Sequence, residues 1–152
     1  MRSSSTLVAI LATIIASLVI CQHNVSAQDT PVFTEYRGIT IGMPIADVHS
    51  KLGDPKQKYD GEDDFEFSDS ESARVVYDEG KKVLTISVMY TGDLAAAPAA
   101  KAVVGEELAP RDDGSIYKMS QYPKNGFWVS YVKTSGTSPM VIITMQRMAS
   151  EP

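Results

Sequence analysis

The side chains best suited to chemistry are seven carboxylates that fall within twelve residues. Clustered carboxylates could attract a cation or a basic partner, and calcium sites are built from them. The run lacks the regular ligand spacing and mid-loop glycine of a helix-loop-helix calcium site. We therefore expect a solvated loop of mutually repelling charges rather than a metal site. The seven acids are Asp60, Glu62, Asp63, Asp64, Glu66, Asp69 and Glu71.

Other catalytic groups are few. His49 is the only histidine after residue 27, so it has no companion with which to complete a metal site. No Gly-x-Ser-x-Gly turn, phosphate-binding glycine loop or zinc motif is present. We predict a non-enzymatic protein with no cofactor and no metal. The alternative is an enzyme that uses the clustered acids, which would require an enclosed pocket containing two of them.

Residues 1–27 have the features of a secretory signal. Arg2 supplies the charged start, residues 7–20 are apolar, and residues 25–27 have the small side chains that signal peptidase requires. We predict cleavage after Ala27 and a periplasmic or secreted protein with no transmembrane segment. The alternative is an outer-membrane lipoprotein anchored through Cys21, although Ile20 replaces the small residue that normally precedes such a cysteine.

Cleavage leaves 125 of the 152 residues, which is enough for one domain with a single core. Because Arg2 is the only charged residue removed, the net charge changes from −5 to −6. Nucleic acid and anionic lipid are bound through basic patches, so we expect neither as a partner.

A short helix is the best delimited element of the chain. Pro44 suits the first helical position, and Ile45, Val48 and Leu52 form one apolar stripe at helical spacing. Gly53 can adopt the left-handed conformation that ends a helix. Two turns are too few to be stable alone in water, so this helix must pack on the rest of the chain.

Alternating apolar residues predict three strands after this helix. Phe65 and Phe67 mark a half-buried strand, and further strands are expected at residues 73–77 and 83–90. Gly80 is expected to supply the positive φ of the hairpin between the last two strands.

The same order of elements is predicted again in the second half of the chain. A weaker helix at residues 98–105 precedes three more strands, whose apolar residues follow those of the first half at slowly growing offsets. The matched pairs are Phe65 with Tyr117, Val75 with Val129, and Leu84 with Val141. After a signal peptide (residues 1–27) and a lead-in (28–35), we predict two helix-β-β-β repeats, at residues 36–92 and 93–148, in one compact domain.

The predicted fold class is therefore α+β, with one antiparallel sheet of about six strands and helices packed on one face. Strand alternation assigns each side chain to a face of the sheet. Facing the helices we expect Phe65, Phe67, Val75, Tyr77, Leu84, Ile86, Val88, Tyr117, Met119, Val129, Tyr131, Val141, Ile143 and Met145. On the open face we expect Val76, Thr85, Ser87, Met89, Lys118, Ser120, Tyr122, Trp128, Ser130, Ile142, Thr144 and Gln146.

Exposed aromatic and methionine side chains on an uncovered sheet are typical of a protein-binding patch. We predict Trp128 as its anchor, together with Tyr122, Met89, Val76 and Ile142. The alternative for Trp128 is that it covers a sheet edge or the N-terminal lead-in.

Residues 42–55, GMPIADVHSKLGDP, resemble the G-M-x-x-x-x-V-x-x-x-L-G-x-P opening of the SmpA/OmlA/BamE family of envelope lipoproteins. The domain of that family is a helical pair on a three-stranded sheet. The tandem arrangement looks like the β-lactamase inhibitor protein (BLIP) family, secreted relatives with two such repeats whose concave sheet grips a partner enzyme. The resemblance implies an exported protein-binding module that inhibits an extracytoplasmic enzyme, or else an envelope assembly factor similar to BamE.

Overall fold

The computed structural model describes residues 30–149. The predicted signal peptide, the cleavage site after Ala27 and Cys21 lie outside the described residues, so export and lipidation stay predictions. Neither of the α-helices within residues 30–149 is long and apolar enough to cross a membrane.

Two α-helices and seven strands make up the described chain. In order they are α1 (Ile45–Leu52), β1 (Gln57–Tyr59), β2 (Glu62–Ser68), β3 (Glu71–Tyr77), β4 (Val83–Thr91), α2 (Ala100–Val104), β5 (Ile116–Tyr122), β6 (Phe127–Lys133) and β7 (Met140–Arg147). The strands form one antiparallel sheet in the order β1-β2-β3-β4-β7-β6-β5. The α+β class and the single antiparallel sheet are confirmed. The sheet has seven strands rather than about six, because the short β1 pairs with the acidic strand β2.

Helix α1 lies close to where the sequence predicts it. Pro44 has extended backbone angles (φ −62°, ψ 145°) and immediately precedes the helix, and Gly53 ends it at a φ of 82°. Val48 is fully buried, whereas Ile45 and Leu52 are only partly buried against the core. Burying one valine contributes about 1.5–3 kcal/mol, so Val48 is the main apolar anchor of α1.

The core lies on one face of the sheet, which we call the covered face. It is covered by α1, by α2 and by the segment that precedes α1, through Val48, Val103, Val104, Tyr36 and Ile39. The buried strand side chains beneath them are Phe65, Ala73, Val75, Tyr77, Val83, Ile86, Val88, Tyr90, Tyr122, Phe127, Val129, Tyr131, Val141, Ile143 and Met145.

The segment before α1 is fastened to the start of β3 through one carboxylate. Glu71 accepts hydrogen bonds from the Tyr36 hydroxyl (2.7 Å) and from Arg37 Nη2 (2.8 Å). The Arg37 guanidinium also lies 4.1 Å from the centre of the Phe67 ring, a cation–π geometry. Burial by itself would raise the pKa of Glu71, but the hydrogen bonds from Arg37 and Tyr36 outweigh it and hold that pKa below its usual value.

In strand β5 each side chain lies on the opposite face of the sheet from the one that the sequence predicts. Tyr117 and Met119 do not lie in the core but are 45% and 39% exposed on the open side. Tyr122, predicted for the open face, is 2% exposed in the core. The physical reason is that β5 is an edge strand and α2 has only five residues. The covered-face side of β5 therefore lies at the rim, where Lys118 pairs with Glu106 at 2.9 Å instead of meeting an apolar side chain.

The start of β4 also departs from simple alternation. Tyr77 pairs with Val83 and Val76 pairs with Thr85, so Leu84 is an extra residue in the ladder. This bulge buries Val83 completely and leaves Leu84, a predicted core residue, only half-buried. In the preceding turn the positive φ belongs to Lys81 (58°) and not to Gly80.

Candidate functional site

The other face of the sheet, which we call the open face, is organised in three cross-strand rows. The ladder register places directly opposed residues side by side across the whole sheet. The rows are Tyr59-Glu62-Val76-Thr85-Gln146-Trp128-Gln121, then Gln57-Asp64-Arg74-Ser87-Thr144-Ser130-Met119, and then Glu66-Ser72-Met89-Ile142-Val132-Tyr117.

The end of the open face formed by β1, β2 and β3 is charged. Arg74 donates from Nε and Nη2 to the two carboxylate oxygens of Asp64, at 2.7 and 2.9 Å. Glu62 lies 3.7 Å from the same guanidinium, and Lys56 pairs with Glu66. The hydrogen bonds to Asp64, followed by the charges of Asp64 and Glu62, raise the pKa of Arg74 above its usual value. Each of these five charged side chains therefore has an opposite charge beside it.

The remainder of the open face carries an apolar patch. Met89, Tyr117 and Met119 are 39%, 45% and 39% exposed, and their neighbours in the ladder are partly or fully buried. Ser87 and Thr144 separate this patch from the charged end and lie 3.3 Å apart between their hydroxyl oxygens. We call the following six residues the apolar patch: Met89, Tyr117, Met119, Trp128, Val132 and Ile142.

Two grooves border the patch. One, of about 430 Å³, runs over the charged end from Lys56 and Asp64 to Met89. The other, of about 770 Å³, lies beside Trp128 and Gln146 where β6 and β7 meet at one end of the sheet. Both are open to solvent, so the face offers shallow depressions beside apolar side chains rather than an enclosed pocket.

Four of the five predicted binding residues share this face. Met89 and Ile142 are direct ladder partners, and Trp128 and Val76 belong to one row with two strands between them. Tyr122 is the exception, because it is buried on the covered face with its ring 5.7 Å from that of Phe127. Three patch members escape prediction from the sequence: Tyr117 and Met119, through the reversed orientation of β5, and Val132.

The acidic run is not a solvated loop, so that prediction is wrong. Most of it forms the strand β2 and the start of β3, where Asp63 and Phe65 alternate with more exposed residues. Asp64 and Glu66 lie in the first groove, but both are paired with basic side chains. Within residues 30–149 no three carboxylate, imidazole or thiol groups converge as a metal ion would need.

One acid of the run is buried in the core. Asp63 is 3% exposed and accepts hydrogen bonds from His49 Nε2 at 2.7 Å and from the Tyr77 hydroxyl at 2.8 Å. Burial, and after it the bond to Asp63, raise the pKa of Tyr77 well above the usual value for a phenol. His49 is thus a partner of a buried acid, which joins α1 to β2 and β3.

Comparison of the chain with protein-family models, with curated proteins and with solved structures gives no match. The likeness to the SmpA/OmlA/BamE and BLIP families therefore remains a prediction from the sequence.

Proposed function

We propose that this chain is an exported, non-enzymatic binding module that recognises another protein through the open face of its sheet. The observation that carries the proposal is the apolar patch, in which Met89, Tyr117 and Met119 are exposed on the same face as Trp128. Contiguous exposed apolar side chains with a polar margin are typical of protein interaction sites.

The division of the open face into an apolar patch and a charged end suggests the chemistry of the partner's surface. A segment placed on the patch would bury apolar side chains against Trp128 and Met89, and its margin would lie over the acids and Arg74. Because those charges are already paired with one another, they favour polar contacts at a rim rather than one dominant ion pair. This division fits a folded protein surface, and an extracytoplasmic enzyme that the module inhibits is the partner class implied by the BLIP likeness.

The register of the sheet supports the predicted tandem repeat. The two halves meet where β4 pairs with β7, and Ser87 lies opposite Thr144, its counterpart in the second repeat. On each side of this pair the ladder continues outward in the same way, through β3 and β2 in the first half and through β6 and β5 in the second. Phe65 of β2 therefore corresponds to Ser120 of β5. The spacing in the sequence instead matches Phe65 with Tyr117. Because Tyr117 and Ser120 are separated by an odd number of positions, that match reverses the faces of β5.

The binding proposal is tested by placing a photo-crosslinking amino acid at Met89 in the exported protein. A matched control carries it at Lys58, whose side chain is 58% exposed and which lies opposite Asp63, on the other side of the sheet. We expect a crosslinked partner at position 89 and none at position 58.

The captured partner then allows affinity to be measured. Trp128→Ala should weaken binding at least about 30-fold, since truncating an interface anchor costs about 2 kcal/mol or more. Lys58→Ala should change affinity by less than about twofold. Circular dichroism of both variants controls for folding. Equal crosslinking at both positions, or equal affinity of the two alanine variants, would rule out the apolar patch as the binding surface.

A further inference from the structure

The two edges of the sheet differ in how well they are protected from pairing. At one edge β1 has three residues, all exposed, and Lys56 and Lys58 lie in or beside it. Very short edge strands and edge lysines are common protections against pairing with another chain. At the other edge β5 has seven residues and contains neither proline nor glycine.

The outer edge of β5 is available. Its pairing with β6 is continuous from Ile116 to Tyr122 without a bulge, so the strand is regular along its length. Within residues 30–149, no backbone hydrogen bond from another segment reaches residues 116–121. In an edge strand every second residue directs its backbone N–H and C=O groups away from the neighbouring strand. Tyr117 and Met119, two of the most exposed large apolar side chains of the described chain, lie on this strand.

We propose that β5 pairs antiparallel with β5 of a second copy of this chain, about a two-fold axis at Met119, which joins two seven-stranded sheets into one. An axis perpendicular to the sheet keeps the two open faces on the same side. In this register Met119 lies opposite its own copy, and Tyr117 lies opposite Gln121 of the second copy. The contact is isologous, because both subunits use the same strand.

Charge and backbone chemistry select this register over its neighbours. Lys118 is the only charged residue of β5, and it lies opposite Ser120 of the second copy. Centring the pair on Lys118 would oppose two lysines, which is destabilising. Centring it on Ser120 would bring Pro123 opposite Tyr117, and proline cannot donate to the ladder. The lysine side chain points to the covered face and is neutralised by Glu106 at 2.9 Å, so it does not prevent approach of the edge.

Pairing would extend the proposed binding surface. The apolar patch of each copy reaches β5 through Tyr117 and Met119, so the two patches would meet at the seam and form one surface on the joined sheet. A partner could then contact both copies, although self-association itself does not depend on any partner.

Cysteine crosslinking tests the register directly. Cys21 is the only native cysteine, so a Cys21→Ser background leaves each engineered thiol alone. Opposed residues in an antiparallel pair have Cα atoms about 4.5–5.5 Å apart, within the range that a disulfide spans. Under an added oxidant, Met119→Cys should form a disulfide-linked dimer. Tyr117→Cys alone should not, because its copies would be about 14 Å apart, whereas Tyr117→Cys mixed with Gln121→Cys should crosslink.

Sedimentation of the uncrosslinked protein over a range of concentrations provides the second readout. We expect a monomer–dimer equilibrium. Met119→Lys should raise the dissociation constant of the dimer at least about tenfold, because it opposes two like charges. Tyr59→Lys at the other edge should leave it unchanged, and circular dichroism should show both variants folded. A monomer at all concentrations would overturn the proposal. So would a dimer that is insensitive to Met119→Lys, or crosslinking at Lys118→Cys or Ser120→Cys in preference to position 119.

Discussion

The buried hydrogen bonds of Asp63 allow a quantitative test of what joins α1 to the sheet. Asp63 accepts from His49 and from Tyr77, and it is 3% exposed. A hydrogen bond to a charged group contributes about 1.5–3 kcal/mol net, and an orphaned buried donor costs about 1–3 kcal/mol. Asp63→Ala loses both bonds and leaves the Tyr77 hydroxyl unpaired, but it also removes the cost of burying a carboxylate. We expect it to lower the free energy of unfolding by about 3–4 kcal/mol.

The double mutant separates the Asp63–Tyr77 bond from the other effects. Tyr77→Phe should cost about 1.5–3 kcal/mol by itself, because it removes a single hydrogen bond to a carboxylate. Asp63→Ala combined with Tyr77→Phe should cost no more than Asp63→Ala alone, since no hydroxyl is left unpaired. The predicted interaction energy is therefore about 1.5–3 kcal/mol in magnitude, well above the roughly 0.3–0.5 kcal/mol within which independent sites add.

Urea unfolding at neutral pH, followed by far-UV circular dichroism, measures these free energies. Tyr131→Phe is the matched control: Tyr131 is 4% exposed, and burial alone raises its pKa. Combined with Asp63→Ala it should show additive costs. If the costs of Asp63→Ala and Tyr77→Phe also added within about 0.5 kcal/mol, the hydrogen bond would contribute nothing and the reasoning would be refuted.

Two further predictions concern the N-terminal part of the chain and the carboxylate that fastens it. Glu71→Gln should destabilise the protein by about 1–2 kcal/mol near pH 7. Because the folded pKa of Glu71 is lowered, its contribution is present above the unfolded value of about 4.3 and is lost as pH falls through the lower folded value. The difference in the free energy of unfolding between wild type and variant should therefore disappear below about pH 4. A difference that stays constant at acid pH would contradict this. Intact-mass analysis of the exported protein should show an N-terminus at Gln28; a lipid on Cys21 would instead favour the BamE-like alternative, and an unprocessed chain would contradict export.

The sequence predicts those elements whose local pattern and tertiary environment agree. The stripe of α1 and its terminal glycine coincide with the helix, and the alternation in β3, β6 and β7 identifies the correct covered face. These strands lie inside the sheet, where both neighbours and a covering layer act on the same face.

The failures occur where the environment of a residue is set by distant parts of the chain. In β5, apolar residues are exposed because the covering helix is short and the strand lies at an edge, and neither fact can be seen in the residues of β5. Asp63 looks like one more charge in an acidic run until His49 and Tyr77, each 14 residues away, are placed beside it. Apart from Tyr122, the predicted binding residues lie on the expected face because their strands keep the alternation that the sequence indicates.

The pairing of β4 with β7 also has a consequence for the entropy of the fold. Elsewhere in the sheet the ladder partners are close in sequence, and the most widely separated of them are Phe127 and Arg147. Between β4 and β7 even the pair nearest in sequence, Thr91 and Met140, is farther apart along the chain. The entropic cost of closing a long loop therefore falls on the β4–β7 pairing alone, whereas the other strand pairings close only short loops.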